Sequence, residues 1–224
     1  EKLLNLCLKD EIIMVAFTYT EPVTWYEYVL ETAKLLSLNN IKTVFVTNGF
    51  INQEPLVELL PYIDAMNIDL KAMTDDFYKD LCSGSLEPVL NTIKTAYKHC
   101  HIEITNLIIP GENDRDKEIE ALVDFIAEID INIPLHFSRY FPQFQRSTSP
   151  TPITTMETAK AIAKKKLNYV YLGNILTDSD TNTHCPNCNA LLIERNHYQT
   201  QIVNLINNKC STCLTEIYGI FNKS

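Results

Sequence analysis

The sequence predicts an α/β fold with a parallel sheet, followed by a small cysteine-rich domain that holds a metal. Three observations lead to this prediction. Apolar runs alternate with amphipathic stretches from the start of the chain to about residue 175. Predicted helices of roughly 10–16 residues separate strands of roughly 5–8 residues, which is the pattern of βαβ units. Finally, four of the seven cysteines lie in two C-x-x-C pairs near the C-terminus.

Six apolar runs are predicted to be the strands of the sheet. They cover residues 12–18, 41–47, 63–70, 101–109, 133–137 and 169–172. Amphipathic periodicity predicts the intervening helices at residues 23–37, 55–62, 75–81, 88–98, 117–129 and 155–166. Six such strands can form most of a barrel or an open doubly wound sheet.

The polar stretch at residues 177–183 has no periodicity and is predicted to be a linker. Residues 1–176 then form the α/β domain, and residues 184–224 form a rubredoxin-like or zinc-ribbon-like domain. So short a domain cannot bury a sizeable core, and we therefore expect a metal to supply the missing stability.

Composition excludes several classes of protein. A formal charge of −9 and a pI near 5.0 argue against binding to nucleic acid. The sequence contains neither an apolar stretch long enough to span a membrane nor a secretory signal, so no membrane partner is expected. Seven cysteines cannot all be paired as disulfides, and three of them are isolated. A reducing compartment, and thus a cytoplasmic location, is predicted.

The C-terminal cysteines have the spacing C-x2-C-x21-C-x2-C, and each pair can present two thiolates to the same ion. The predicted ligands are Cys185, Cys188, Cys210 and Cys213. Tetrahedral sulfur coordination suits one zinc ion, or one iron ion as the second choice. The alternative, two thioredoxin-like redox pairs, is less favoured because neither pair lies in a βαβ context. A nucleic-acid-binding zinc ribbon is disfavoured because the tail has no basic cluster.

Polar residues follow the predicted strands, where α/β proteins place their ligand contacts. Glu21 follows the first strand, Thr47 and Asn48 the second, and Asp69 and Lys71 the third; His136 lies within the fifth. Each has a purely structural alternative: a helix-initiating Glu-Pro pair, an ordinary turn, an Asp–Lys ion pair and a core histidine. Their recurrence at one edge favours a binding site.

Taken in order, the motifs resemble the radical S-adenosylmethionine enzymes. They are T-Y-T-E-P at 18–22, W-Y-E-Y at 25–28, V-T-N-G at 46–49, N-I-D-L-K at 67–71, I-I-P-G-x-N-D at 108–114 and P-L-H-F at 134–137, followed by the cysteine pairs. More narrowly, the chain resembles the AmmeMemoRadiSam-system branch, relatives of the pyruvate formate-lyase activating enzymes. The resemblance implies a partial (βα)6-type barrel that lacks its first strand.

The same resemblance implies roles for the residues at this edge. Glu21 would bind the amino group of the methionine moiety of S-adenosylmethionine, and Thr47 and Asn48 would lie near its ribose and carboxylate. Asp69 and Lys71 match a D-x-K pair in which the aspartate helps to hold a monovalent cation, and His136 would face the same pocket.

Chemistry in this family requires a [4Fe–4S] cluster, held by a C-x3-C-x2-C motif, and produces a 5′-deoxyadenosyl radical that abstracts hydrogen. The sequence contains no such motif. We therefore expect a preceding segment or an upstream subunit to hold the cluster, and this chain alone to be inactive. The strand at residues 12–18 would then have an unpaired edge, which predicts pairing with another copy or with the rest of a longer protein.

The sequence is compatible with two functions. The chain is either the C-terminal portion of a radical enzyme, or a non-catalytic remnant or split subunit that binds a partner through its metal knuckle. A reductant protein and Memo-like proteins of the same system are the partners that the resemblance implies.

Overall fold

The structure is a computed structural model that describes residues 1–175, 181–196, 199–219 and 221. Six strands form one parallel sheet in the order β1-β2-β3-β4-β5-β6, so the predicted α/β fold is confirmed. They are β1 (Met14–Phe17), β2 (Lys42–Thr47), β3 (Ala65–Asp69), β4 (His101–Ile108), β5 (Leu135–Arg139) and β6 (Val170–Gly173). That the sheet is an incomplete barrel stays a prediction.

Within the described ranges, seven α-helices connect and precede these strands. They are α1 (Lys2–Lys9), α2 (Tyr26–Leu38), α3 (Gln53–Leu59), α4 (Asp75–Cys82), α5 (Leu86–Ala96), α6 (Asp116–Ile129) and α7 (Ile153–Ala163). The helix predicted at 55–62 ends earlier, because residues 60–62 form a separate 3₁₀ turn that contains Pro61. Proline fixes φ and removes a backbone donor, which favours a change of helix type at this point. No helix in the described part of the chain is long and apolar enough to cross a membrane.

The chain divides into two compact units. The first comprises residues 1–70 and 74–104. Its strands follow a clear alternation: in β2 the side chains of Thr43, Phe45 and Thr47 are buried, and the residues between them are more exposed. Period-two burial of this kind places one face of the strand against the core. Side chains with no solvent exposure form that core: Leu36, Phe45, Leu56, Ile68 and Ile93.

The second unit comprises residues 71–73 and 105–224, described with the gaps given above. β5 pairs in parallel with β6, so that His136 lies opposite Tyr171. Helix α7 packs against both strands and against α6. The core of this unit consists of side chains no more than 1% exposed: Ile126, Leu135, Phe137, Met156 and Leu172.

Residues 181–196 and 199–219 of the second unit form what we call the four-cysteine module. Strands β7 (Thr183–His184), β8 (Leu191–Asn196) and β9 (Gln199–Ile202) make an antiparallel sheet, and β10 (Leu205–Ile206) pairs with β11 (Lys209–Cys210). The antiparallel pair β8–β9 lies between the two cysteine pairs. Residues 177–180 of the predicted linker lie outside the described residues, and the predicted domain boundaries stay a prediction.

Candidate functional site

Glu21 links the ends of the first two strands. It caps the 3₁₀ helix Pro22–Trp25, and its Oε1 accepts a hydrogen bond from the backbone N of Val23 at 3.2 Å. The same oxygen accepts a second bond from Oγ1 of Thr47 at 2.7 Å. Its Oε2 accepts a bond from the backbone N of Asn48 at 2.7 Å. The structure thus brings together three of the residues singled out in the sequence.

The turn after β2 is fixed by its own side chains. Oγ1 of Thr47 accepts a hydrogen bond from the backbone N of Gly49 at 3.1 Å, and Oδ1 of Asn48 accepts one from Phe50 N at 2.8 Å. Gly49 has a φ of 72°, and an added Cβ would lie 2.8 Å from a methyl carbon of Ile68. Glycine is needed here because both the backbone conformation and the space exclude a side chain. This turn directs the Asn48 N–H at Glu21.

Asp69 and Lys71 belong to different units. Asp69 ends β3 and is half-buried, next to the fully buried Ile68. The backbone carbonyl of Lys71 accepts hydrogen bonds from Nδ2 of Asn106 at 3.1 Å and from Nδ2 of Asn113 at 2.6 Å. Two side-chain amides therefore hold the Lys71 backbone. The roles of both side chains in binding a ligand or cation stay predictions.

Asn113 is a buried residue whose contribution the sequence does not reveal. It is 2% exposed. Besides its bond to Lys71, its Nδ2 donates to the carbonyl of Leu107 at 2.9 Å, and its Oδ1 accepts from the backbone N of Ile109 at 2.7 Å. The P-G-x-N-D run after β4 is a turn signal. Only the position of an amide side chain two residues after a glycine suggests that Asn113 bonds to the backbone of the turn. Asn113 fixes the backbone that leaves β4.

We expect Asn113→Ala to lower the free energy of unfolding by about 2–4 kcal/mol, because it removes the acceptor of the buried Ile109 N–H and one hydrogen bond each from the carbonyls of Leu107 and Lys71. Urea denaturation measures this loss. The control is Asn39→Ala, which removes a solvent-exposed bond from the Asn39 amide to the carbonyl of Leu35. We expect the control to cost less than about 1 kcal/mol. Equal losses in the two variants would contradict the buried network.

His136 is half-buried within β5 and stacks on the ring of Tyr171. The ring centroids lie 5.0 Å apart, with an angle of 23° between the planes. Its neighbours Leu135 and Phe137 have no solvent exposure. Since successive side chains of a strand point to opposite faces, His136 lies on the face away from this core. Its position in a ligand pocket stays a prediction.

The four cysteines of the four-cysteine module converge. Their sulfur atoms all lie within 4.8 Å of one another, with Cys185 Sγ 3.5 Å from Cys213 Sγ and Cys188 Sγ 3.7 Å from Cys210 Sγ. The edge of a tetrahedron of sulfurs around one ion, at metal–sulfur distances of about 2.3 Å, is about 3.8 Å. The sulfur atoms therefore fit a single tetrahedral ion.

The two cysteine pairs lie in turns of the same geometry. The backbone N of Asn189 donates to the carbonyl of Cys185 at 2.9 Å, and the backbone N of Leu214 donates to that of Cys210 at 2.8 Å. Asn189 and Leu214 both have positive φ, 59° and 63°. A leucine in this conformation is uncommon. The repeated turn brings both sulfurs of each pair to the same side.

Hydrogen bonding favours thiolate at two of these cysteines. The hydroxyl of Thr215, 3.2 Å from Cys213 Sγ, and then its backbone N–H lower the pKa of Cys213 to about 5. Burial raises the pKa of Cys210, but the backbone N–H groups of Cys213 and Thr212 outweigh this, and the pKa falls below its usual value. A metal ligand must be deprotonated, so both shifts favour metal binding.

Cys188 behaves differently. A backbone hydrogen bond involving Ala190 lowers its pKa, but the neighbouring sulfur of Cys213 and burial raise it further, so that the pKa reaches about 12. Negative charge on four adjacent sulfurs is self-repulsive, and a cation at their centre relieves the repulsion.

The same closed set of four cysteines does not fit a [4Fe–4S] cluster with an open iron, since the four sulfur atoms converge within 4.8 Å of one another.

A family model for the radical SAM superfamily matches residues 1–126. These residues are more than half of the chain, and the chain therefore belongs to this superfamily. The family implies S-adenosylmethionine and an iron–sulfur cluster as cofactors, and radical generation from S-adenosylmethionine as the chemistry.

Two proteins of known sequence are similar to this chain. An uncharacterized protein of Methanocaldococcus jannaschii is 41% identical over 219 residues, which cover 95% of this chain and 65% of that protein. The 4-hydroxyphenylacetate decarboxylase activating enzyme of Clostridium scatologenes is 28% identical over 115 residues, 50% of this chain and 37% of the enzyme. The chain thus spans less than two thirds of the length of either relative.

The fold recurs in solved structures. A domain of pyruvate-formate lyase-activating enzyme from Bacteroides vulgatus superposes with a TM-score of 0.62 at 20% identity, over 71% of this chain and 98% of that domain. The likeness to activating enzymes expected from the sequence is confirmed at the level of the superfamily and the fold. Membership of the AmmeMemoRadiSam-system branch stays a prediction.

Proposed function

We propose that this chain is the S-adenosylmethionine-binding portion of a radical enzyme of the AmmeMemoRadiSam-system branch. The observation that carries the proposal is the Glu21 carboxylate, which three donors fix between the ends of β1 and β2. A carboxylate has about four acceptor positions. Among the described residues three are used, two at Oε1 and one at Oε2. The remaining position at Oε2 suits the ammonium group of the methionine moiety.

Five further residues are proposed to contribute to the ligand set. Thr47 and Asn48 share the Glu21 junction, and Asp69, Lys71 and His136 are the further residues assigned to it. When bound, the [4Fe–4S] cluster supplies the electron that converts S-adenosylmethionine to methionine and a 5′-deoxyadenosyl radical. The residues of this chain would bind and orient the substrate and exclude water.

A segment outside this sequence is proposed to hold that cluster. The sequence carries no C-x3-C-x2-C motif, and its four-cysteine module suits a single ion. β1 lies at one end of the strand order, and Ile13 and Met14 beside this edge are 63% and 53% exposed. An exposed apolar edge favours pairing with a further strand. The isolated chain is then expected to be inactive.

Complementation tests the proposal. The chain is mixed anaerobically with the polypeptide that carries the C-x3-C-x2-C motif, reconstituted with iron and sulfide, and reduced. We expect cleavage of S-adenosylmethionine to methionine and 5′-deoxyadenosine, measured by liquid chromatography. The control is the same polypeptide with the three motif cysteines changed to alanine. Absence of cleavage in a mixture that contains a reducible cluster would rule out the enzyme assignment for this assembly.

The four-cysteine module is proposed to hold one zinc ion, with iron as the alternative. Four thiolates in a closed tetrahedral set are the typical structural site for zinc. Metal analysis together with the visible spectrum distinguishes the two, since ferric iron bound by four thiolates is coloured and zinc is not.

A second candidate function, a non-catalytic binding module, has one observation in its favour. The four-cysteine module exposes several apolar side chains: Ile202 (57%), Ile206 (61%) and Leu214 (72%). A contiguous group of such side chains would mark an interaction surface, and we propose that these three contribute to one. A reductant protein and Memo-like proteins are the proposed partners for either function. Binding to such a partner without cleavage in the complementation assay would favour this second function.

A further inference from the structure

The four-cysteine module shares a core with the last strand of the sheet. Tyr169, directly before β6, is 4% exposed and packs in one cluster with Cys185, Leu192 and Ile217. Burial raises the pKa of the Tyr169 hydroxyl to about 12, against a smaller opposing effect of a hydrogen bond with the backbone of Tyr218. The module is thus packed directly against the strand that pairs with β5.

Two residues of the four-cysteine module hold the next tyrosine, Tyr171. The hydroxyl oxygen of Tyr171 lies 2.9 Å from Oγ1 of Thr183. Nη1 of Arg195 donates to the same Oγ1 at 2.8 Å and to the carbonyl of Thr181 at 2.9 Å. The guanidinium carbon of Arg195 lies 5.6 Å from the centroid of the Tyr171 ring. Thr183 therefore contacts the Tyr171 hydroxyl, Arg195 contacts its ring, and the two residues are bonded to each other.

Tyr171 also contacts a residue of β5. The parallel register places it opposite His136, and the two rings are stacked. A cation within about 6 Å of an aromatic ring is attracted to its face, and stacked rings restrict each other's side-chain torsions. Movement of Arg195 would thus remove one constraint on the Tyr171 ring, against which the imidazole is stacked.

We propose that Arg195 and Thr183 are positioning residues, which hold the His136 imidazole in place through the Tyr171 ring. The consequence for S-adenosylmethionine rests on the proposed function, in which His136 faces the bound ligand. The four-cysteine module would then be part of the binding machinery, because loss of its fold displaces a residue on β5.

The test separates positioning from ligand binding. The chain is labelled at its histidines and loaded with metal, and the His136 ring signals are assigned by their loss in His136→Gln. We expect Arg195→Met and Thr183→Val to shift the His136 signals and broaden them, with one metal per chain retained. The matched control is Glu194→Met, an exposed neighbour of Arg195 on β8, which should leave these signals unchanged.

A variant outside the four-cysteine module tests whether the change in the His136 signals could come from misfolding of the module. Tyr171→Leu removes the stacked ring and should change the His136 signals in the same way without altering metal content. Unchanged His136 signals in metal-loaded Arg195→Met and in Tyr171→Leu would overturn the proposal.

Affinity for S-adenosylmethionine, measured with the complemented and reconstituted assembly, gives the functional readout. We expect Arg195→Met to weaken binding about three- to tenfold, and to add no further loss when His136 is already glutamine. If His136→Gln binds as tightly as wild type while Arg195→Met still shifts the His136 signals, the positioning stands and the assignment of His136 to the ligand site is wrong.

Discussion

Replacing Cys185 with serine is expected to abolish metal binding and unfold the four-cysteine module. Cys185 is 2% exposed and supplies one of the four converging sulfurs. In small metal domains the binding free energy, on the order of 10 kcal/mol, is also folding free energy. The module has few fully buried side chains of its own, so the remaining packing cannot replace that contribution.

Elemental analysis and amide exchange measure this outcome. The metal content should fall from about one ion per chain to nearly none, and the amides of β8 and β9 should lose protection. Cys82→Ser is the control, because Cys82 is exposed and lies at the end of α4. Retention of a full equivalent of metal in Cys185→Ser would refute the four-cysteine site.

Replacing Glu21 with glutamine is expected to weaken S-adenosylmethionine binding by at least about tenfold. The substitution keeps the size of the side chain but removes the charge that would pair with the ammonium group. It also turns one acceptor into a donor, which then faces either the N–H of Asn48 or both the N–H of Val23 and the hydroxyl of Thr47. Only the hydroxyl can rotate to compensate.

Equilibrium dialysis with the complemented assembly, together with thermal unfolding, separates binding from stability. We expect the melting temperature to change by only a few degrees, consistent with a loss of about 1 kcal/mol. Glu27→Gln is the control, since Glu27 is exposed in the first turn of α2. Binding by Glu21→Gln within twofold of wild type would remove Glu21 from the ligand site.

The order of strands and helices could be predicted from the sequence because each strand carries a local apolar run. Phe45 and Phe137, for example, lie in runs too apolar to be surface loops, and both are completely buried. Strand ends were less predictable. The fifth strand, predicted at 133–137, runs from Leu135 to Arg139, because backbone pairing with β6 and not hydrophobicity decides where a strand ends.

The candidate site could be predicted only where a short sequence motif identifies its residues. The cysteine spacing and the E-P and T-N-G turns are local, and the structure joins Glu21 to Thr47 and Asn48. The contacts of Asn113 with Lys71 and of Arg195 with Tyr171 join residues 42 and 24 positions apart, by their sequence numbers. No local pattern encodes such contacts, since they depend on how the strands pack.

The burial of Tyr169 beneath Cys185 and Leu192 limits how the protein can be engineered. A chimera that exchanges residues 181–219 for a metal ribbon from another protein would leave the Tyr169 ring, next to β6, without the side chains that bury it. The grafted ribbon would need apolar residues on the face that packs against Tyr169, in addition to the correct cysteine spacing. Metal ribbons of this kind are therefore not interchangeable cassettes here, and a successful transplant must carry β6 along with the ribbon.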